Sequence, residues 1–264
     1  MEPGIYDGLD NDVYHASPGI SKSGLSIFAD SPARYRWGER PKTRPLFLGS
    51  LIHCAVLEPE QLEHRYFVTD LKTLNPDHKA YREEEQRAAG AELVKRTDFD
   101  QACYIRDSVM GHNVARSLID ESLIVERSGA WIDPETGVLC RLRADGINKA
   151  AGVIIDAKSC EDASWSAFSN AMLNYRYHWQ DVIYRDGLEH AEGWRAEAMV
   201  FIAIEKTKPY LVGAYKLDAE SRALGHDQVR AAMSYYAKCK AEDHWPGHSD
   251  FIEEIRLPNR AFRG

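Results

Sequence analysis

The chain has 264 residues, 44% of them hydrophobic and 28% charged, which describes a globular protein long enough to bury a full core and excludes a disordered or fibrous one. Acidic residues (41) outnumber basic ones (33) for a net charge of -8, so a protein coated with basic residues is excluded, while a local basic groove on an acidic body is not. The five cysteines (Cys54, Cys103, Cys140, Cys160 and Cys239) are odd in number and include no C-x-x-C pair. That argues against a disulfide framework, a zinc ribbon or a cysteine-held iron–sulfur cluster, and for a reducing cytoplasm. No signal peptide opens the sequence and no apolar run is long enough to span a bilayer, so no membrane association is expected.

Residues 1–18 are polar, with Pro3, Gly4 and Pro18, and read as an irregular lead-in packed onto the body by Tyr6, Tyr14 and His15. Ser21 or Ser23 is placed to cap a short helix through Ala29. Ser31-Pro32 starts another, an N-cap followed by proline at the first helical position, which ends near Gly38. Arg34, Arg36, Arg40, Lys42 and Arg44 make the most basic stretch of the chain. It reads either as a phosphate-backbone contact or as a solvated helix face. In LFLGSLIHCAVLEPE, Leu48, Leu51, Ile52, Ala55 and Val56 follow the spacing of a core-facing helix, closed by Pro59. His53 lies beside that stripe, with Gly49 one turn earlier leaving room next to the imidazole. Taken alone, such a histidine reads as a packed core residue.

Residues 60–97 contain charge-rich segments, of which YREEEQRAAGAELVKR reads as a solvated helix or helix pair, and 98–118 read as an amphipathic helix burying Cys103, Val109 and Val114. From Glu121 the pattern turns to strands. ESLIVERSGAWI, a DPETG turn and VLCRLRADGI form a hairpin, and Asn148 to Gly152 is the next turn. The strand Gly152 to Ser159 follows. Asp162 or Ser164 caps one long helix to about Glu189, on which Gln180 and Tyr184 share a face one turn apart. AEAMVFIAIEK and PYLVGAYKLD give two more strands, and a last helix covers about Ala219 to Ala241 before a polar tail. No repeat or linker marks a boundary. The expectation is an α/β (α+β) domain over 1–264, mainly helical over 1–118, with a mixed central sheet flanked by helices over 119–264.

The chemistry concentrates in VLCRLRADGINKAAGVIIDAKS, residues 138–159. Alternate strand residues share a face, so Asp156 and Lys158 point one way on one strand, and Arg141, Arg143 and Asp145 one way on its neighbour. Asp145, Asp156 and Lys158 then meet at one end of the sheet. Two carboxylates about 4 Å apart repel by about 4 kcal/mol at an effective dielectric near 20, and a divalent cation held by oxygen ligands relieves this. Lys158 cannot ligate a metal while protonated but can orient a water or hold a phosphate oxygen. This is the chemistry of metal-assisted phosphodiester hydrolysis. Gln180 and Tyr184 read either as core packing or as a helix face aimed at a phosphate or base, and Arg141 and Arg143 as candidates to grip phosphate.

The segments PGIYDGLDNDVYH, GISKSGLSIFADSPARY, LGSLIHCAVLEPE, ESLI, DPETGVLCRLRAD, VIIDAKS and YRYHWQDVIYRDG, in this order along nearly the whole chain, resemble the RecE-type exonucleases (exodeoxyribonuclease VIII) of the PD-(D/E)XK nuclease superfamily. The resemblance implies a restriction-endonuclease-like core. It implies His53 as a metal ligand from the first long helix, Asp145 and Asp156 as the two motif acids, Ala157 facing the metal through its carbonyl, and Lys158 as the catalytic lysine. Gln180 and Tyr184 match the Q-x-x-x-Y helix motif. Glu121 matches a further acid that holds metal directly or through water; Glu126 stands close by, and a strand bulge would exchange them. RAD replaces the more usual RPD, whose proline is not a ligand.

What the resemblance implies is a Mg²⁺- or Mn²⁺-dependent 5′–3′ exonuclease with two metal ions per site. It would digest one strand of linear duplex DNA to leave 3′ overhangs for single-strand annealing recombination and repair. The implied setting is a homo-oligomeric ring, tetramer or trimer, acting with a RecT-type annealing protein in the cytoplasm of a bacterium or phage host. The alternatives are an endonuclease, or a catalytically inactive DNA-end clamp that recruits an annealing protein; the absence of a Walker P-loop argues against a motor in the same chain.

Overall fold

The strand AMVFIAIE, residues 198–205, is apolar on both faces, as a strand covered by helices on both sides must be, and the chain is layered around it. A computed structural model describes residues 1–39 and 43–258. The first elements are β1 (Gly4–Tyr6), α1 (Asn11–Ala16), α2 (Lys22–Asp30), α3 (Pro32–Trp37), α4 (Arg44–Leu57) and α5 (Leu62–Arg65). Then follow β2 (Tyr66–Thr69), α6 (Lys79–Ala88), β3 (Glu92–Lys95), α7 (Arg96–Gly111) and α8 (Asn113–Leu118). The main sheet is built from β1 with β4 (Ile124–Ile132), β5 (Leu139–Asn148), β6 (Val153–Cys160), β7 (Ala198–Glu205) and β8 (Val212–Tyr215). Helices α9 (Trp165–Asn174) and α10 (Tyr177–Glu192) link β6 to β7, and α11 (Ala219–Glu242) closes the chain.

The sheet order is β1-β4-β5-β6-β7-β8, antiparallel except for the parallel β6–β7 pair. A parallel neighbour needs a crossover, which α9 and α10 supply. One face of the sheet buries Leu142, Ile154, Phe201 and Ala203 under side chains from α2, α9, α10 and α11, among them Phe28, Phe168, Trp179 and Val229. The other buries Ile155, Ala157, Ile202 and Ile204 under Leu51, Ile52 and Ala55 of α4 and Ile105 and Val109 of α7. Strand alternation thus sends Asp156 and Lys158 to the first face, and the backbone of Ala157 lies within reach of α4.

The expected starts and stops are largely present. Ser21 caps α2 by accepting from the Gly24 amide, and Ser31 caps α3 by accepting from the Arg34 amide ahead of which Pro32 sits. Four expectations change. The lead-in contains β1, paired antiparallel with β4. The charge-rich stretch also holds a parallel β2–β3 pair around α6, and β3 falls inside the segment read as solvated helix. The helix expected over 98–118 is interrupted at His112, which instead caps α8 through its ring nitrogen. The long helix from residue 164 is broken at Arg176, which takes a left-handed conformation (φ 53°) and separates α9 from α10. Among the described residues, no helix is long and apolar enough to cross a membrane.

Candidate metal centre and active site

The strands β5 and β6 pair at Asn148–Val153, Ile147–Ile154 and Gly146–Ile155, and there the ladder stops. The next residues in that register are Asp145 and Asp156. The strands stop pairing where the two acids stand, which spares them direct cross-strand packing. On the other side of β5, β4 pairs at Val125–Gly146 and Arg127–Ala144 but skips Glu126–Asp145. Glu126 has φ 50°, a left-handed conformation that non-glycine residues rarely adopt and that turns its side chain out of the regular pleat.

Helix α4 brings His53 to this gap. Its Nε2 lies 2.7 Å from the Ala157 carbonyl oxygen and its Nδ1 lies 3.5 Å from Asp145 Oδ2. A carbonyl only accepts, so Nε2 carries the proton and donates to it, which leaves the Nδ1 lone pair facing a carboxylate oxygen. When the ring is neutral these are two acceptors facing each other, an arrangement that a cation between them would relieve. The Ala157 amide donates to the same Asp145 Oδ2 at 3.0 Å, fixing that carboxylate. One ligand atom from each of His53, Glu126 and Asp145 lies within 4.8 Å of the others. An imidazole nitrogen with two carboxylates is a donor set that fits Mg²⁺ or Mn²⁺, while the Ala157 carbonyl, expected to face the metal, is engaged by His53. Burial, and then the Asp145 charge, push the Glu126 carboxyl up to about 7.

Asp156 is fully buried. Lys158 Nζ sits 2.6 Å from its Oδ2, and the Gln180 amide donates to its Oδ1. Oδ2 accepts no hydrogen bond of regular geometry, so the ion pair is its one polar contact and a lone pair is left. Burial raises the Asp156 pKa, Lys158 opposes the rise and Asp145 adds to it. Burial works against the Lys158 charge, but Asp156 and then Asp145 outweigh it and hold the ammonium above its ordinary pKa. The ring of Tyr177 lies 4.9 Å from Lys158 Nζ. Tyr184, one turn beyond Gln180 and hydrogen-bonded to it, has its phenol raised well above the usual value, chiefly by burial.

The fold therefore brings His53, Asp145, Asp156, Ala157, Lys158, Gln180 and Tyr184 together from four elements, α4, β5, β6 and α10. Asp156 lies outside the tight three-residue cluster, engaged by Lys158 and Gln180, so serving as a ligand requires it to exchange the ammonium for the ion. Glu121 is exposed in the turn before β4, and Glu126 occupies the place beside Asp145 instead. The exchange comes from the turned backbone at Glu126 rather than from an inserted residue, since the β4–β5 register is the same on both sides of it.

The arginines also differ from expectation. Arg141 is buried, donates to the Tyr14 carbonyl and lies 4.9 Å from the Tyr14 ring. Arg143 donates to Ser128 Oγ at 2.8 Å and to the Leu9 carbonyl at 2.5 Å. Arg141 is spent on anchoring the N-terminal segment, while Arg143 divides its contacts between that segment, Ser128 and the Glu126 carboxylate, 3.7 Å away. Arg44 makes a paired contact with Asp98 at 3.0 Å. Arg34 and Arg36 are exposed on α3, and Lys42 lies outside the described residues.

A mixed sheet whose diverging central strands present Asp145 and Asp-x-Lys, with a helix-borne histidine opposite, defines the PD-(D/E)XK nuclease fold. The chain belongs to the family described as a PDDEXK-like domain of unknown function, DUF3799, which matches residues 22–258. No curated protein matches the chain. Among solved structures it is similar to a candidate exonuclease from Eubacterium rectale, with a TM-score of 0.63 and 13% sequence identity over 97% of this chain and 98% of that one. At that identity the likeness is one of fold.

Proposed function

We propose that this protein is a metal-dependent DNA nuclease, and that it acts as a RecE-type 5′–3′ exonuclease on one strand of linear duplex DNA, leaving 3′ overhangs. The observation that carries the hydrolytic reading is the buried Asp156–Lys158 pair at 2.6 Å, set across a strand gap from the His53, Glu126 and Asp145 cluster. A structural ion pair needs no such neighbours, and burying it would be costly without a further role. The finer terms rest on the resemblance to the RecE family: the direction, the 3′ overhang, a ring of three or four copies, two metal ions and a RecT-type annealing partner in recombination.

A bound divalent ion supplies Lewis acidity, lowering the pKa of a water and neutralising the scissile phosphate. The chain's own groups set the geometry. The Nε2–H of His53 is held by the Ala157 carbonyl, so its Nδ1 stays aimed at the ion site. Glu126 and Asp145 supply the charge that draws the ion in. Gln180 fixes the Asp156 rotamer through Oδ1 and leaves Oδ2 to Lys158, whose ammonium an ion would have to replace. Lys158 presents N–H groups to the attacking water and to a non-bridging phosphate oxygen, and the burial around it strengthens that interaction.

The test is digestion of linear and closed-circular duplex labelled at either 5′ or 3′ end, with Mg²⁺ or Mn²⁺, against EDTA and Asp156→Ala. Metal-dependent release of 5′ label from linear DNA, lost in Asp156→Ala, is expected. Cutting of closed circles would make the protein an endonuclease. Binding of ends with no cutting under any metal would leave a DNA-end clamp.

A further inference from the structure

Beside the acids and Lys158 stands a second lysine. Lys22 opens α2, directly after its cap Ser21, and is 8% exposed. Its Nζ donates to the Tyr175 carbonyl at 2.6 Å and lies 5.3 Å from the centroid of the Tyr177 ring, the same ring that lies 4.9 Å from Lys158 Nζ. One aromatic ring therefore borders both ammonium groups.

The surroundings of Lys22 are short of negative charge. Among the described residues no carboxylate stands within ion-pair distance of it. Asp156, the acid it senses, is already taken by Lys158. Arg176, a further cation nearby, is engaged with Asp30 at 2.8 Å and the Ser26 carbonyl at 3.2 Å. Burial, and then the Lys158 charge, push the Lys22 ammonium down to about 8, so it is still largely protonated at neutral pH. A buried cation next to two others is costly unless an anion completes the site. The Tyr175 carbonyl uses one of its three N–H groups, and the positive end of α2 adds to the deficit.

We propose that Lys22 is a substrate-binding residue whose ammonium takes a non-bridging oxygen of a DNA backbone phosphate, next along the strand from the phosphate served by Lys158. The two lysines then hold neighbouring phosphates of one strand beside the Tyr177 ring, and the strand approaches the acids along the α2 terminus and the α9–α10 junction. This rests on the nuclease reading above. A purely structural role, latching α2 to the Tyr175 carbonyl, is the competing account.

Lys22→Gln separates the two, because glutamine keeps a donor for the Tyr175 carbonyl and loses the charge, while Lys22→Arg keeps the charge. Duplex DNA binding by the full chain is measured over a range of salt concentrations with Ca²⁺ as a non-catalytic ion. The expected slope of log K against log salt is smaller by about 0.9 for Lys22→Gln than for wild type, and is restored in Lys22→Arg. In Mg²⁺ or Mn²⁺, kcat/KM of Lys22→Gln falls by about tenfold or more, with Mn²⁺ affinity unchanged. A wild-type slope and wild-type kcat/KM in Lys22→Gln overturn the proposal. So does a loss of activity that follows a fall in Tm with no change in slope. Wild-type protein that binds DNA and never cuts it defeats the nuclease reading instead, and the slope still decides the role of Lys22.

Discussion

Glu126 stands opposite Asp145 in the β4–β5 register, and theirs is the one position skipped between Ile124–Ile147 and Ile132–Leu139. The left-handed backbone at Glu126 takes it out of the ladder and into the cluster with His53 and Asp145. Strain of this kind persists where the surroundings over-determine it. Glu126→Gln is therefore expected to weaken Mn²⁺ binding by about tenfold or more, and Glu121→Gln, altering an exposed turn residue, to leave it unchanged. Calorimetric titration of both variants checks this; equal effects would return Glu121 to the site.

The same carboxyl makes the metal-free protein pH-sensitive. Glu126 is pushed up to about 7 and Asp156 to about 6, whereas both types titrate near 4 when unfolded. Between about pH 4 and pH 7 the folded state holds protons that the unfolded chain has lost, so this contribution to stability falls as pH rises through that window. Asp133, depressed to about 2 with Arg230 and Thr136 outweighing its burial, acts oppositely and at lower pH, so a comparison between variants isolates Glu126. In EDTA, Glu126→Gln should melt a few degrees above wild type at pH 8 and level with it at pH 5, and Mn²⁺ should raise the wild-type Tm more at pH 8 than at pH 5.5. A difference in Tm that does not change with pH would contradict the assignment.

Most of the frame was legible because it is written in local pattern. The caps at Ser21 and Ser31, the stripe around His53 and the Asp-x-Lys strand all form by short-range rules, and β5 and β6 begin within one residue of their expected starts. What the pattern could not carry is non-local. Glu126 and Glu121 are equally acidic near one strand start; only the pairing of β4 with β5 sets one against Asp145. Arg141 and Arg143 lie on a strand beside Asp145 as expected, but nothing in their spacing shows that Tyr14 and the Leu9 carbonyl, more than a hundred residues earlier, claim them. The break at Arg176 was likewise hidden, because no proline or glycine marks it. It is supported from α2, through Ser26 and Asp30.

Lys158 neutralises a carboxylate that has no access to water. Lys158→Met should reduce cleavage by at least about 100-fold and should also destabilise the EDTA-treated protein by about 3–5 kcal/mol at pH 8, because a buried charge is left alone. Adding Asp156→Asn should recover most of the stability and none of the activity. Urea unfolding of the single and double variants is the measurement. A single variant as stable as wild type would mean that Asp156 is already neutral.

Arg141 tests the correction to the DNA-binding set. Its guanidinium is buried against the ring and carbonyl of Tyr14, so Arg141→Met should cost about 1–3 kcal/mol and should speed proteolysis of the first eighteen residues. DNA affinity and its salt dependence should stay at wild-type values under conditions where the variant is folded. A smaller salt slope would instead put Arg141 on phosphate.

Gly187 sets how closely α10 lies on the sheet. A β-carbon there would meet Leu142 Cδ2 at 2.5 Å and the Trp131 ring at 2.7 Å, contacts that a packed core relieves only by moving the helix. Gln180, Tyr184 and Gly187 share one face of α10, so a displacement at Gly187 passes directly to the amide that holds Asp156. Gly187→Ala should therefore cost about 1–3 kcal/mol and lower kcat at temperatures where the protein remains folded. Gly111→Ala, in α7 with open space around the added carbon and no left-handed φ, should be neutral or slightly stabilising. Thermal unfolding and steady-state cleavage of the two variants together decide the point. A Gly187→Ala protein that loses stability but keeps wild-type kcat would show that Asp156 is held in place without the exact seating of α10.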